Sequence, residues 1–277
     1  MTKLLRLSRP RFWVYVLGPY LVGLAAGAPD LDSLHRWQVV LWGLYFLLPA
    51  NLLIYGVNDI FDWESDKDNA KKIGYETLVP PHQRKSLWRA IAIFNTPFLL
   101  MLPFLEGQQF GALCFFWLFS VFYSAPPIRA KTKPFADSIF NVLYVFPGVF
   151  SFYLVGGEDL VPSLFLAAWL WAMAMHAYSA APDIDADHAN KMQTIATSLG
   201  FRGTLIFCAL CYALSALLAF SMGTLALLLG LLYVTLMLKS LRSEQSRIFA
   251  HYRAFPLINT AAGFVLFWSI IWARFFA

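Results

Sequence analysis

The stretch Asn51 to Asn69, NLLIYGVNDIFDWESDKDN, begins apolar and ends acidic. Asn58, Asp59, Asp62, Glu64, Asp66 and Asp68 close a run, Trp37 to Val57, that would ordinarily span a bilayer. Carboxylates at the end of a membrane helix are costly, which makes them functional candidates by default. Asp59, Asp62 and Asp66 stand at i, i+3 and i+7, a spacing that puts all three on one helical face. Like charges so placed repel, and a divalent cation is the simplest partner that makes the arrangement favourable. Oxygen-only donors suit Mg2+, which commonly shares its shell with water and phosphate oxygens. The pattern points to metal-diphosphate chemistry at a membrane surface.

A second acidic stretch runs Tyr178-Ser179-Ala180-Ala181-Pro182-Asp183-Ile184-Asp185-Ala186-Asp187-His188. Asp183 and Asp187 are i and i+4 and share a helical face, while Asp185 points elsewhere. Acidic helix starts are common, so this pattern alone is weak; its recurrence carries the weight. Two such surfaces facing each other would hold bridging Mg2+ against a diphosphate, with Asp59, Asp62, Asp183 and Asp187 as the catalytic carboxylates. His176 and His188 flank the second set, and a histidine near carboxylates reads as a hydrogen-bonded structural residue before a ligand. The sequence holds no nucleophile triad, glycine-rich phosphate loop or cysteine-histidine metal cluster. Cys114, Cys208 and Cys211 lie inside apolar runs and read as packing residues.

Membrane helices must position these groups. The chain has 277 residues, 59% of them hydrophobic and 13% charged, with a mean hydropathy of +0.60. About a quarter of the residues in an ordinary globular domain are charged, so the composition is that of an all-α, polytopic membrane protein. Apolar runs fall near 12–28, 37–57, 87–105, 110–123, 136–155, 160–181, 204–221, 224–241 and 254–276, each near the roughly 20 residues a bilayer needs. Nine transmembrane helices around a central cavity are expected, as one domain over residues 1–277. Of the 21 Lys and Arg residues, all but Arg36 and Arg274 fall at the N-terminus or in and beside the loops after even-numbered runs, Arg89 and Lys239 lying just inside the flanking run ends. The positive-inside rule then places the N-terminus and both acidic motifs toward the cytoplasm and the C-terminus outside. Lys3, Arg6, Arg9 and Arg11 before an apolar run ending at Ala25–Ala28 resemble a signal peptide, but Pro19 and the run's length favour a retained helix. Nucleic-acid binding has no support, because the basic residues follow the membrane-side rule.

Two basic loops could meet a diphosphate. Lys67, Lys71, Lys72, Arg84 and Lys85 follow the second run, as an anchor to anionic lipid or as a lid. After the fourth run, Tyr123-Ser124-Ala125-Pro126-Pro127 leads into Arg129, Lys131 and Lys133, which in an extended segment would form an anion-binding fork. An allylic cation formed by diphosphate loss needs a dry site with aromatic faces. Trp13, Tyr15, Tyr45, Tyr55, Tyr144, Phe146 and Tyr153 are candidates, most of them packing or lipid-facing.

The segment Asn58-Asp59-Ile60-Phe61-Asp62-Trp63-Glu64-Ser65-Asp66 resembles the N-D-x-x-D-x-x-x-D motif of the UbiA superfamily of intramembrane prenyltransferases, and Asp183 to Asp187 its second D-x-x-x-D. The resemblance spans essentially the whole chain. It implies a Mg2+ site made by Asn58, Asp59, Asp62, Asp66, Asp183 and Asp187. It also implies prenyl diphosphate contacts from Asn58, Arg9, Lys72, Tyr123, Arg129, Lys131 and Tyr178. Many aromatic-acceptor members carry an arginine-rich segment after the first motif, where this chain has Lys71-Lys72-Ile73-Gly74-Tyr75-Glu76. Ser8-Arg9-Pro10-Arg11-Phe12-Trp13, Tyr123 to Arg129 and Met175 to Ala180 are most similar to the lycopene elongase branch of C50 carotenoid synthesis. That branch implies a dimethylallyl diphosphate donor and a carotenoid acceptor such as lycopene, with water able to quench the product cation. No nucleic acid or obligate protein partner is expected. Transfer to a quinone, chlorophyll or lipid precursor is the nearest alternative. A divalent-cation transporter is the alternative from another class, disfavoured because the acids sit at one membrane face.

Overall fold

The structure is a computed structural model that describes residues 2–63 and 77–277. Every regular element among the described residues is helical. In chain order the helices are α1 (Thr2–Leu7), α2 (Val14–Gly27), α3 (Trp37–Leu47), α4 (Pro49–Phe61), α5 (Arg84–Leu99), α6 (Gly107–Ser124), α7 (Ala136–Ile139), α8 (Phe146–Leu154), α9 (Pro162–Ala180), α10 (Ile184–Ala189), α11 (Ile195–Leu218), α12 (Thr224–Leu241), α13 (Ile248–Tyr252) and α14 (Phe255–Phe275).

Seven segments among the described residues are long and apolar enough to cross a membrane: Trp37–Phe61, Pro81–Phe104, Ala136–Leu154, Pro162–Ala189, Ile195–Leu218, Thr224–Leu241 and Phe255–Phe275. The other two expected spans are helices as well, α2 of 14 residues and α6 of 18. The outward faces carry Val40, Ile93, Leu100, Phe104, Leu210, Leu217, Leu231, Leu257 and Trp272, all strongly exposed. So much exposed apolar surface is tolerated in lipid and not in water. The protein is an integral, multi-pass membrane protein.

The chain divides into two compact units. Of the described residues, the first holds 2–63, 77–129, 146–158 and 263–277. In it α2 packs on α8 at very short range because small residues face each other. A Cβ added at Gly23 would stand 2.1 Å from the Gly148 carbonyl oxygen, and one at Gly27 would stand 2.3 Å from that of Phe152. Ser151 Oγ donates to the Tyr20 carbonyl at 2.6 Å. Lipid supplies no hydrophobic drive between helices, so close backbone approach and such bonds must hold them together. Behind this contact Trp42, Tyr45, Phe46, Phe116 and Phe150 form a buried aromatic core, with the half-buried Phe98 packed against Trp42 and Tyr45 and the Trp42 and Phe150 centroids 4.6 Å apart. The phenol of Tyr45 is held by Trp117 and Asn95, so this aromatic serves packing.

The second unit holds residues 130–145 and 159–262. Its frame is α9, α11 and α12, with α11 packed on both others. Thr194 starts α11 with a reciprocal capping box: its hydroxyl accepts the Thr197 N–H at 3.2 Å, and its own N–H donates to Thr197 Oγ1 at 2.8 Å. Gly200, at φ +67°, bends α11 one turn later, a conformation that glycine adopts without strain. Tyr212 stacks on Tyr233 at 4.6 Å, and the Tyr233 hydroxyl donates to Asn259 Oδ1 at 2.7 Å.

The α2–α8 contact yields a prediction. Gly23→Ala must force the helices apart and should destabilise the protein by about 1–3 kcal/mol, the usual range for overpacking. Gly18→Ala, whose Cβ would meet Val14 at an ordinary 3.6 Å, should melt like the parent in detergent. Equal melting of the two variants would refute the close-approach account.

Candidate active site

The first acidic motif is built on α4. Pro49 occupies its first turn, where the missing N–H costs nothing, and the helix is buried along nearly its whole length before ending at Phe61. Asp62 is its C-cap, with its N–H still bonded to the Asn58 carbonyl at 3.0 Å. Asp59 and Asp62 therefore remain on adjacent turns, as their spacing predicts. Asp59 is 5% exposed and Asp62 is fully buried.

Each carboxylate faces an arginine in the same unit. Arg9 Nη2 donates to Asp59 Oδ1 at 2.6 Å, in a largely buried pair, and its guanidinium lies 4.8 Å over the Tyr55 ring. Arg129 Nη2 lies 3.7 Å from Asp62 Oδ1 and donates to the Phe61 carbonyl at 3.3 Å. Both arginines have positive φ, 51° at Arg9 and 45° at Arg129. A non-glycine residue there costs on the order of 1–2 kcal/mol, and such strain collects at functional sites. Asn58 Nδ2 donates to Ser124 Oγ at 3.1 Å on α6, next to the partly buried Tyr123. Asn58, Asp59, Asp62, Arg9 and Arg129 are thus drawn to one end of α4. Asp66 and Lys72, together with Lys67 and Lys71, lie outside the described residues.

The expected basic fork does not form. Arg129 has a left-handed backbone and Ala130–Thr132 is a tight 3-10 turn, so positions 129, 131 and 133 do not alternate along an extended segment. Lys131 is 8% exposed, whereas Arg129 and Lys133 lie on the surface.

In the second unit Asp183 is the N-cap residue of α10, and Asp187 follows one turn later. Both are partly buried; Asp185 points away and accepts from Gln245 Nε2 at 3.0 Å. Thr194 Oγ1 donates to Asp187 Oδ2 at 3.4 Å. Tyr178 is fully buried, its hydroxyl 3.1 Å from Ser240 Oγ and its ring 4.8 Å from Phe255. His188 is exposed, while His176 Nε2 stands 3.5 Å from Asp137 Oδ2. Asp137 was not singled out by spacing, although a lone carboxylate at the head of the apolar run 136–155 was a visible signal.

The donor chemistry fits Mg2+. The first motif offers hard oxygen donors, two of them carboxylates withdrawn from water. Among the described residues no three His, Cys, Asp or Glu side chains converge on one point. Mg2+ is usually held by one or two carboxylates, with water and substrate phosphates completing its shell, so this donor set is adequate.

Comparison with known proteins agrees with this chemistry. The model of the UbiA prenyltransferase family matches residues 16–255, a stretch that runs through both units. A lycopene elongase/hydratase of Halobacterium salinarum is 38% identical over 272 residues, 96% of this chain and 96% of that protein. One from Haloarcula japonica is 38% identical over 99% of this chain and 92% of its own. A UbiA homolog from Archaeoglobus fulgidus, solved bound to GPP and Mg2+, superposes with a TM-score of 0.69 at 20% identity, covering 96% of this chain and 99% of that one. On this match and these relatives, the chain belongs to the UbiA prenyltransferase family and is a prenyl-transferring membrane enzyme.

Proposed function

We propose that this chain, as one catalytic domain over residues 1–277, uses Mg2+ to ionise an allylic prenyl diphosphate and transfers the prenyl group to a carotenoid such as lycopene. The observation that carries the ionisation step is the pair of buried carboxylates, Asp59 and Asp62, each with an arginine against it. The observation that favours the acceptor is near-full-length similarity to lycopene elongase/hydratases.

In this reading Asn58, Asp59 and Asp62 hold Mg2+, and Asp66, Asp183 and Asp187 complete the acid set. When bound, Mg2+ neutralises the charge that builds on the departing diphosphate. Arg9 and Arg129 trade their carboxylate partners for diphosphate oxygens, and Lys72 and Lys131 add positive charge. Arg129 suits this role, since its exposed guanidinium already sits beside a buried acid. Preorganised cations of this kind lower the barrier because they need not reorient as charge develops. The allylic C–O bond breaks, and the electron pair leaves with the diphosphate. A double bond of the acceptor then forms the new C–C bond. The resulting cation is discharged by loss of a proton, or by addition of water with loss of one proton from that water. The Lys and Arg distribution supports a site facing the cytoplasm, with nine spans and an external C-terminus. The donor and acceptor are then a soluble diphosphate and a lipid-phase hydrocarbon, with membrane lipid as the only other partner.

Incubation of the purified protein with Mg2+, labelled dimethylallyl or geranyl diphosphate and a set of acceptors tests the proposal. Lycopene should gain one or two five-carbon units from dimethylallyl diphosphate; prenylation of an aromatic acid alone would contradict it. Asp183→Ala should lower kcat by at least about a hundredfold, as loss of a single electrostatic contact to a transition state commonly does, while the variant melts like the parent. Near-normal turnover in Asp183→Ala would remove the second acid set from the mechanism.

A further inference from the structure

The segment that carries Asp183 and Asp187 is closed at its base by one oxygen atom. Asp137, in α7, is fully buried. Its Oδ1 accepts the Ser138 N–H at 2.9 Å, and its Oδ2 accepts the Ile195 N–H at 2.8 Å. The same Oδ2 lies 3.5 Å from His176 Nε2. His176 stands near the end of α9 and Ile195 opens α11, so residues 177–194 leave and return at the Asp137 carboxylate. Asn141 Nδ2 donates to the Asp137 carbonyl at 2.6 Å and ties the backbone of α7 in turn.

A fully buried carboxylate is a costly way to make a structural contact. Withdrawing a carboxylate from water costs several kcal/mol even after relaxation. The capping box satisfies the N–H groups of Thr194 and Thr197, and Asp137 takes the Ile195 N–H between them, which a neutral side chain could accept as well. What Asp137 adds is a link that Thr194 cannot make, between α11 and the histidine-bearing end of α9. Thr194, the neighbour of Ile195, reaches Asp187 Oδ2 at 3.4 Å, so the link continues to the acid itself.

We propose that Asp137 is a positioning residue for the second acidic motif. By accepting the Ile195 N–H with the oxygen that also stands 3.5 Å from His176 Nε2, it fixes the spacing of Asp183 and Asp187 and so sets the affinity of that motif for Mg2+ with a diphosphate. The inference rests on the reading that these two aspartates bind Mg2+. Groups behind metal ligands commonly change metal affinity by about ten- to a hundredfold when altered.

The test uses Mg2+ and inorganic pyrophosphate as probes and melting temperature in detergent as readout, so it is independent of turnover. The parent protein should show a saturable rise in melting temperature as Mg2+ is titrated in the presence of pyrophosphate. Asp137→Asn turns an amide NH2 toward a backbone N–H, and His176→Gln removes the imidazole that stands 3.5 Å from Oδ2 while leaving the Ile195 bond. Each should raise the half-saturating Mg2+ concentration about tenfold or more. Gly230→Ala, whose Cβ would stand 2.3 Å from Ala216 Cβ, is the control: it should melt earlier yet keep the parental half-saturation. If Asp137→Asn does not fold, His176→Gln decides. Parental half-saturation in the folded variants overturns the proposal alone. No Mg2+-dependent rise in the parent overturns the reading of Asp183 and Asp187 as ligands, and the proposal with it.

Discussion

A carboxylate withdrawn from water at the end of an apolar helix must be met by positive charge, and much of this protein is arranged around that need. Asp59 and Asp62 are almost entirely buried, and the surrounding fold supplies Arg9 to one and Arg129 to the other. Both arginines take a strained backbone conformation to get there. An apolar residue at either acid would be cheaper for stability alone. The retained cost makes sense if the arginines stand where metal and diphosphate charge will come, as proposed for a member of the UbiA prenyltransferase family.

The scaffold follows from the same requirement. Placing polar groups at a fixed helix end calls for helices that cannot slide, and in lipid that rigidity comes from close backbone contact and satisfied polar atoms. Gly23, Gly27 and Gly148 bring α2 and α8 together, and Ser151 bonds across to Tyr20. The second unit uses a different device for its own acids: a capping box at Thr194 and a buried carboxylate at Asp137.

The features legible in the sequence are those governed by short-range spacing or by composition. The i, i+3 relation of Asp59 and Asp62 and the i, i+4 relation of Asp183 and Asp187 survive in the helices, because helical periodicity acts within one or two turns. The apolar runs were equally legible, since the bilayer fixes their length. Contacts made by chain return were not. Arg9 meets Asp59 across 50 residues and Ile195 meets Asp137 across 58, and no local pattern encodes either pairing. The extended fork at Arg129, Lys131 and Lys133 failed because alternation in sequence says nothing of a left-handed residue followed by a 3-10 turn. Asp66 and Lys72 lie outside the described residues and keep the standing the sequence motif gives them.

The central claim is that the buried acids are kept for function at the expense of stability, and Asp62→Asn tests it most directly. This substitution preserves shape and removes one charge from a fully buried position. Melting of the variant without Mg2+, set beside a single-turnover measurement of diphosphate release, separates the two roles. The account predicts a melting temperature equal to or above that of the parent, together with loss of diphosphate release by at least about a hundredfold. A variant that melts well below the parent yet still releases diphosphate at the parental rate would contradict it, for Asp62 would then be a structural residue.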